Sequence, residues 1–254
     1  MISKYLLFGF LLLLFIYILS YNRRSGLENF DNNININSYV ITLKTEDRLT
    51  NIKKQKLKLK TDITLFDAVV GDKLDLDDLI QKGIVSDYYK NSDKPKKREV
   101  GCHMSHLSLY KKIKESNVPG YTLVLEDDFV VKDDNNMDKI KECINKINNK
   151  GEDFDILFLG NLMNNHGENV IDNIYKDDKN ELLLCTHAYI INNSHIDKIM
   201  DLTTRIDGPI DHKLNLLSKT DALKMLTLYP TMIDQGGGPT LINNVDIELF
   251  KNYH

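Results

Sequence analysis

The sequence predicts a single α/β domain, a sheet with helices on both faces, preceded by one N-terminal transmembrane helix. Three observations carry this reading. Segments rich in Val, Ile, Leu and Phe alternate with amphipathic stretches from Tyr39 onward; an apolar run fills Tyr5–Tyr21; and no internal repeat divides the chain. The chain has 254 residues. With the apolar segment set aside about 225 residues remain, enough for one sizeable domain and one site.

The run from Tyr5 to Tyr21 is broken only by Gly9 and Ser20. At about 1.5 Å per residue it lies at the short end of what spans a bilayer. Ser20-Tyr21-Asn22-Arg23 offers no small-residue cleavage site, so residues 1–24 read as an uncleaved membrane anchor. Lys4 and the α-amine on one side balance Arg23 and Arg24 on the other, so the charges assign neither lumen nor cytosol. Residues 25–38, with alternating Asn and Ile, are too poor in apolar mass to fold alone and read as a stalk, leaving 39–254 as the domain.

Within it, Tyr39–Leu43 is expected as the first strand, Glu46–Lys60 as a helix and Ile63–Val69 as the second strand before the Gly71 turn. A weaker helix follows at Asp75–Lys82, then an exposed Lys/Asp/Pro loop around Asn91–Lys97. Arg98–Ser116 is the next helix, stopped by Val118-Pro119-Gly120 before the strand Tyr121–Leu125. Downstream the pattern gives a helix near Met137–Asn148, strands at Phe154–Leu159 and Leu182–Ile191, helices at Ser194–Thr203 and from Ile210, and a strand at Leu223–Leu228.

Composition narrows the function. A net charge of −4, with no basic stripe interleaved with aromatics, argues against nucleic acid as a partner. Cys102, Cys143 and Cys185 are widely spaced and form no C-x-x-C pair.

The chemistry concentrates where Tyr121–Leu125 runs into Glu126-Asp127-Asp128. Three carboxylates then stand at the carboxyl end of a strand, where open α/β sheets bind ligands. If the chain stays extended, Glu126 and Asp128 face one way and Asp127 the other. Such a pair suits Mn²⁺ or Mg²⁺, which takes carboxylate and phosphate oxygens together and neutralises a diphosphate leaving group. Strand ends also collect acids for solubility alone, and phosphatases and nucleases use strand-end aspartates too. A phosphohydrolase would need a nucleophilic Asp motif that the sequence lacks.

Arg98-Glu99-Val100-Gly101-Cys102-His103-Met104-Ser105-His106, followed by Leu123-Val124-Leu125-Glu126-Asp127-Asp128, resembles the motif pair of glycosyltransferase family 25, which contains lipooligosaccharide and collagen galactosyltransferases. Val40–Leu43 with Asp47-Arg48, Phe66–Gly71, Thr186–Ile191 and Pro209–Asp211 fit in order, so the resemblance spans roughly Tyr39 to Asp211. Thr42 and Val70 depart from the family pattern, both at the nucleotide end.

The resemblance implies a GT-A-like, Rossmann-type domain with a mixed sheet, a UDP-sugar donor, Mn²⁺ or Mg²⁺, and transfer of galactose or glucose with inversion to a hydroxyl of a glycan or hydroxylated protein. Glu126 and Asp128 would hold the metal and Asp127 would support them. Arg48, Ser105, His106 and Glu126 would border the donor, and Asp211 would be the base, with Asp207 and Asp234 in reserve. Asp211 is equally explained as a first-turn helix charge, and Cys102, His103 and His106 read as structural rather than as a zinc site. Gly236-Gly237-Gly238 would allow a mobile lid. The rival reading is an inactive membrane-anchored protein that binds nucleotide sugar or glycan on the same fold.

Overall fold

The computed structural model describes residues 34–90, 94–132, 135–162 and 166–236. The expected anchor, most of the stalk and Gly237-Gly238 lie outside them. Among the described residues no helix is long and apolar enough to cross a membrane.

The chain forms β1 (Ile36–Thr42), α1 (Glu46–Leu59), β2 (Thr64–Asp67), α2 (Leu76–Gln81) and α3 (Lys94–Ser116). It continues through β3 (Tyr121–Glu126), β4 (Phe129–Val131), α4 (Met137–Asn149), β5 (Ile156–Leu162), β6 (Asn169–Ile171) and β7 (Ile174–Lys176). It ends with β8 (Leu184–Asn192), α5 (Ile196–Thr203), α6 (Ile210–Lys219), β9 (Met225–Leu228) and β10 (Ile233–Gln235).

Eight strands make one mixed sheet in the order β2-β1-β3-β8-β5-β9-β7-β6, while β10 and β4 form a separate antiparallel ribbon. β1 runs parallel to β2 and β3, and β5 runs parallel to β9. β8 lies antiparallel between β3 and β5, which makes those two parallel to each other. The carboxyl ends of β1, β2, β3, β5 and β9 therefore share one edge.

Strand residues alternate between faces. One face carries Val40, Leu123, Leu125, Leu157, Ile190 and Leu226 against Ile52 and Leu59 of α1 and Ile140, Ile144 and Ile147 of α4. The other carries Ile41, Val124, Ile156, Phe158, Tyr189 and Ile191 against Leu109, Tyr110 and Ile113 of α3, Ile199 of α5 and Leu214 of α6. A smaller cluster, Leu76, Val85, Tyr89, Val100 and Ile206, seats α2 against α3.

Three expectations change. β1 starts at Ile36, inside the segment read as stalk. Helix α3 begins at Lys94, so part of the expected loop is helical. The short strands β4, β6, β7 and β10 were not expected; each has three residues, too few to display a period.

Candidate active site

The loops after β1, β2 and β3, with one face of α3 and Gln235, enclose a cleft of about 210 Å³ at the carboxyl edge of the sheet. It is lined by Glu126, Asp127 and Asp128 together with Arg48, Ser105 and His106. Six of the seven residues singled out from the sequence thus meet in one place; Asp211 does not line the cleft.

The carboxylates do not meet in the way an extended chain would bring them. β3 ends at Glu126, and the chain turns at Asp127-Asp128 into β4, which pairs with β10. Asp127 and Asp128 are therefore not on opposite sides: Arg48 Nη1 lies 3.3 Å from Asp127 Oδ1 and 3.3 Å from Asp128 Oδ2. The turn is held by α1. Asn51 Nδ2 donates to the carbonyl oxygens of Asp127 and Phe129 at 3.0 Å each, Gln55 Nε2 donates to Asn51 Oδ1 at 3.2 Å, and Val131 N–H donates to Gln55 Oε1 at 3.0 Å. Two amide side chains thus satisfy backbone groups that a neighbouring strand would otherwise satisfy.

Each carboxylate has its own environment. Glu126 Oε1 accepts from Thr186 Oγ1 at 2.6 Å and faces His106 Nε2 at 3.2 Å. Burial pushes the Glu126 carboxyl up, but the His106 and Thr186 contacts outweigh it and leave the group below its ordinary value. His106 Nδ1 meets the Tyr189 hydroxyl at 2.7 Å, and that hydroxyl meets Tyr110 Oη at 2.7 Å. Burial raises the Asp127 carboxyl against the opposing pull of Thr42 and Arg48. Burial and the neighbouring Glu126 charge raise Asp128, opposed by Gln235 and Arg48. Gln235 Nε2 donates to Asp128 Oδ2 at 3.1 Å, whereas Asp128 Oδ1 is buried without a hydrogen-bond partner.

Ser105 and His106 form the floor rather than free-standing ligands. Ser105 Oγ donates to Gly101 O at 2.6 Å and accepts from Val69 N–H at 2.8 Å, tying the loop after β2 to α3. At the rim Arg98 grips Asp72 through Nε at 3.0 Å and Nη2 at 2.9 Å. Cys102, His106 and Glu126 bring ligand-type atoms within 4.8 Å of one another. Both His106 nitrogens already have partners, and burial keeps the Cys102 thiol protonated by raising it well above its ordinary value, so this group fits structure better than zinc. His103 faces the carbonyls of Gly208 and Thr203 at 3.0 Å each, crosslinking α3 to the segment between α5 and α6.

Asp211 lies in the first turn of α6. Its oxygens accept from the Cys185 and His212 N–H groups at 3.1 and 2.9 Å, which holds Cys185 at φ 73°. Cys185 Sγ in turn meets Gln235 Oε1 at 3.5 Å, so Asp211 connects to Asp128 through two intermediaries. The reserve acids are paired elsewhere, Asp207 with Lys213 at 2.8 Å and Asp234 with Lys132 at 2.9 Å.

Thr186 and Tyr189 lie in a segment that the sequence marks, although burial in a strand concealed that Thr186 touches Glu126 and that Tyr189 reaches it through His106. Asn51 and Gln55, four apart on α1, and Gln235 carried no signal of their own.

The sequence model of glycosyltransferase family 25 (LPS biosynthesis protein) matches residues 35–214. No curated protein matches the chain. Among solved structures, an apo-UDP-glucose pyrophosphorylase superposes with a TM-score of 0.42 at 8% identity, covering 76% of this chain and 90% of that one. A UDP-glucose pyrophosphorylase complexed with UDP-glucose gives 0.39 at 8% identity with the same coverage. Both likenesses are too remote to bear on activity.

Proposed function

The chain belongs to glycosyltransferase family 25 and is a glycosyltransferase; we propose that it transfers a hexose, galactose or glucose, from a UDP-sugar to an acceptor hydroxyl with inversion, on a GT-A-like fold. One observation carries the reading: three carboxylates face one cleft with a single arginine among them, and Asp128 Oδ1 is buried there without a partner. A buried, unpaired carboxylate oxygen is costly unless a ligand completes it. Hard oxygen donors in that state fit Mn²⁺ or Mg²⁺, with Asp128 and Glu126 as the ligands and Asp127 in support. A divalent cation held there would offset the charge that builds on the departing UDP.

The remaining work falls to this chain's own residues. Arg48, fixed between Asp127 and Asp128, opposes the upward push of burial on both carboxyls and borders the diphosphate. Ser105 and His106 hold the floor beneath the donor. Asp211 is our base for the acceptor hydroxyl, which requires the acceptor to enter from the α6 side of the cleft. Residues 1–24 would anchor the enzyme to a membrane and the segment from residue 25 up to the start of β1 would space the domain from it, with a glycan or hydroxylated protein as acceptor.

UDP release from a panel of UDP-sugars, measured with Mn²⁺, with Mg²⁺ and with chelator, tests this. The expected result is metal-dependent release from one donor, reduced about 100-fold or more in Asp128→Ala. Release that is indifferent to chelator and to Asp128→Ala would overturn the metal assignment. Absence of both turnover and UDP binding would overturn the donor.

A further inference from the structure

Outside the cleft, an aromatic cluster stands at the same edge of the sheet. Tyr229 directly follows β9, which lies three strands from β3 in the sheet order. At one strand spacing of about 4.8 Å each, that places it roughly 14 Å from Glu126 along the carboxyl edge. A short oligosaccharide can bridge that span.

Tyr229 is 54% exposed, and its backbone and ring both have partners. Tyr229 N–H donates to Asn173 O at 3.0 Å. The ring packs on His166 with centroids 4.3 Å apart and planes inclined at 39°, and His166 also meets the Tyr175 ring at 5.3 Å. Both His166 ring nitrogens are buried without a hydrogen-bond partner, and burial lowers the pKa of the ring, so it stays neutral. The imidazole thus forgoes polar bonds and serves the tyrosine as a flat support. His166 packs against Tyr229 while about half of the residue stays open to solvent: an apolar plane with a polar tip, in place before any ligand arrives. The C–H face of a pyranose, rimmed by hydroxyls, is the complementary surface.

We propose that Tyr229, backed by His166, is a subsite that stacks on a sugar ring of a glycan acceptor. The proposal rests on the reading of the carboxylate cleft as the donor site and adds the acceptor's class to it. Separate measurements address the two.

The full-length chain in detergent is applied to immobilised oligosaccharides ending in galactose, glucose or N-acetylglucosamine, and acceptor-free UDP release is followed in parallel. Wild type is expected to be retained on at least one of these glycans. Tyr229→Ala should weaken that retention roughly tenfold while Tyr229→Phe preserves it, and UDP release should be equal in all three proteins. Retention of Tyr229→Ala equal to wild type, or no retention of wild type on any glycan, overturns the subsite. Tyr229-dependent retention in a chain that releases no UDP would leave the subsite standing and overturn the donor reading instead.

Discussion

Tyr110, Tyr189, His106 and Glu126 form one buried run of polar contacts. Glu126 faces His106 Nε2, His106 Nδ1 meets the Tyr189 hydroxyl, and that hydroxyl meets Tyr110 Oη. Burial raises both phenols, which keeps their protons in place. Tyr189→Phe removes the hydroxyl that partners both His106 Nδ1 and Tyr110 Oη, and should lower stability by about 1–3 kcal/mol in chemical denaturation. It should also lower transfer activity, because the ring that faces Glu126 then loses the contact that orients it. Asp177 gives a pH-dependent counterpart. Burial pushes its carboxyl above the ordinary value, against the opposing pull of Ser218 and Lys219. A carboxyl raised in the folded state favours folding below the unfolded pKa of about 3.9, and that contribution is lost as pH rises through the folded value. Asp177→Asn should therefore be more stable than wild type at pH 7, with the advantage gone near pH 3, as thermal melts across that range would read.

Helix α3 and the loop after β2 make contact through two glycines. A Cβ on Gly101 would lie 2.7 Å from Gly71 Cα and 2.9 Å from Val69 O, both backbone atoms that no side-chain rotation can clear. Gly101→Ala should therefore push the loop away from α3, break the Val69–Ser105 bond and cost about 1–3 kcal/mol by denaturation. Because that loop lines the cleft, KM for the donor should rise more than the loss of stability alone explains. The sequence displays both glycines, one in the turn after the second strand and one on a helix, yet nothing in either segment reveals that they touch. The same limit runs through the elements. β3 and the acids at its end were legible because three consecutive apolar residues, Leu123 to Leu125, precede three carboxylates. The turn at Asp127-Asp128 was not, because an Asp suits a ligand site as well as a turn and the hydrogen bonds that fix this one come from Asn51 and Gln55 on α1. β4 and β10 exist because they pair with each other, a long-range cause invisible to local pattern. Asp211 was legible as an acid at a helix start, and in that position it holds two backbone N–H groups.

Across the whole molecule the two edges of the sheet carry different burdens. The carboxyl edge gathers acids with raised pKa values and an unpartnered oxygen, whereas the amino edge is stapled. Asp155, only 1% exposed at the start of β5, accepts from Lys198 Nζ and from Lys224 N–H at 2.6 Å each. Its own N–H donates to Lys224 O, and its carbonyl accepts from Asn192 N–H, so one residue joins β5, β8, the approach to β9 and α5. Asn193 adds a second staple nearby, accepting from Thr122 Oγ1 at 2.8 Å and donating to Val118 O at 2.9 Å. The alternating pattern of the sequence implied a covered sheet but not the antiparallel insertion of β8 between β3 and β5, since a fully buried strand reads alike in either direction. That insertion brings Thr186 and Tyr189 to the acid cluster while the far end of β8 meets Asp155. If the edges divide stability from chemistry, damage at the amino edge should leave the chemistry intact. Asp155→Ala strands a buried backbone N–H and frees a lysine that is already partly solvated, so the loss should be about 2–3 kcal/mol, below the cost of breaking a fully buried pair. In a domain of this size that lowers Tm by roughly 5–10 °C. UDP release per folded molecule, measured well below the new Tm, should match wild type; a fall in kcat there would mean that the edges are coupled through β8.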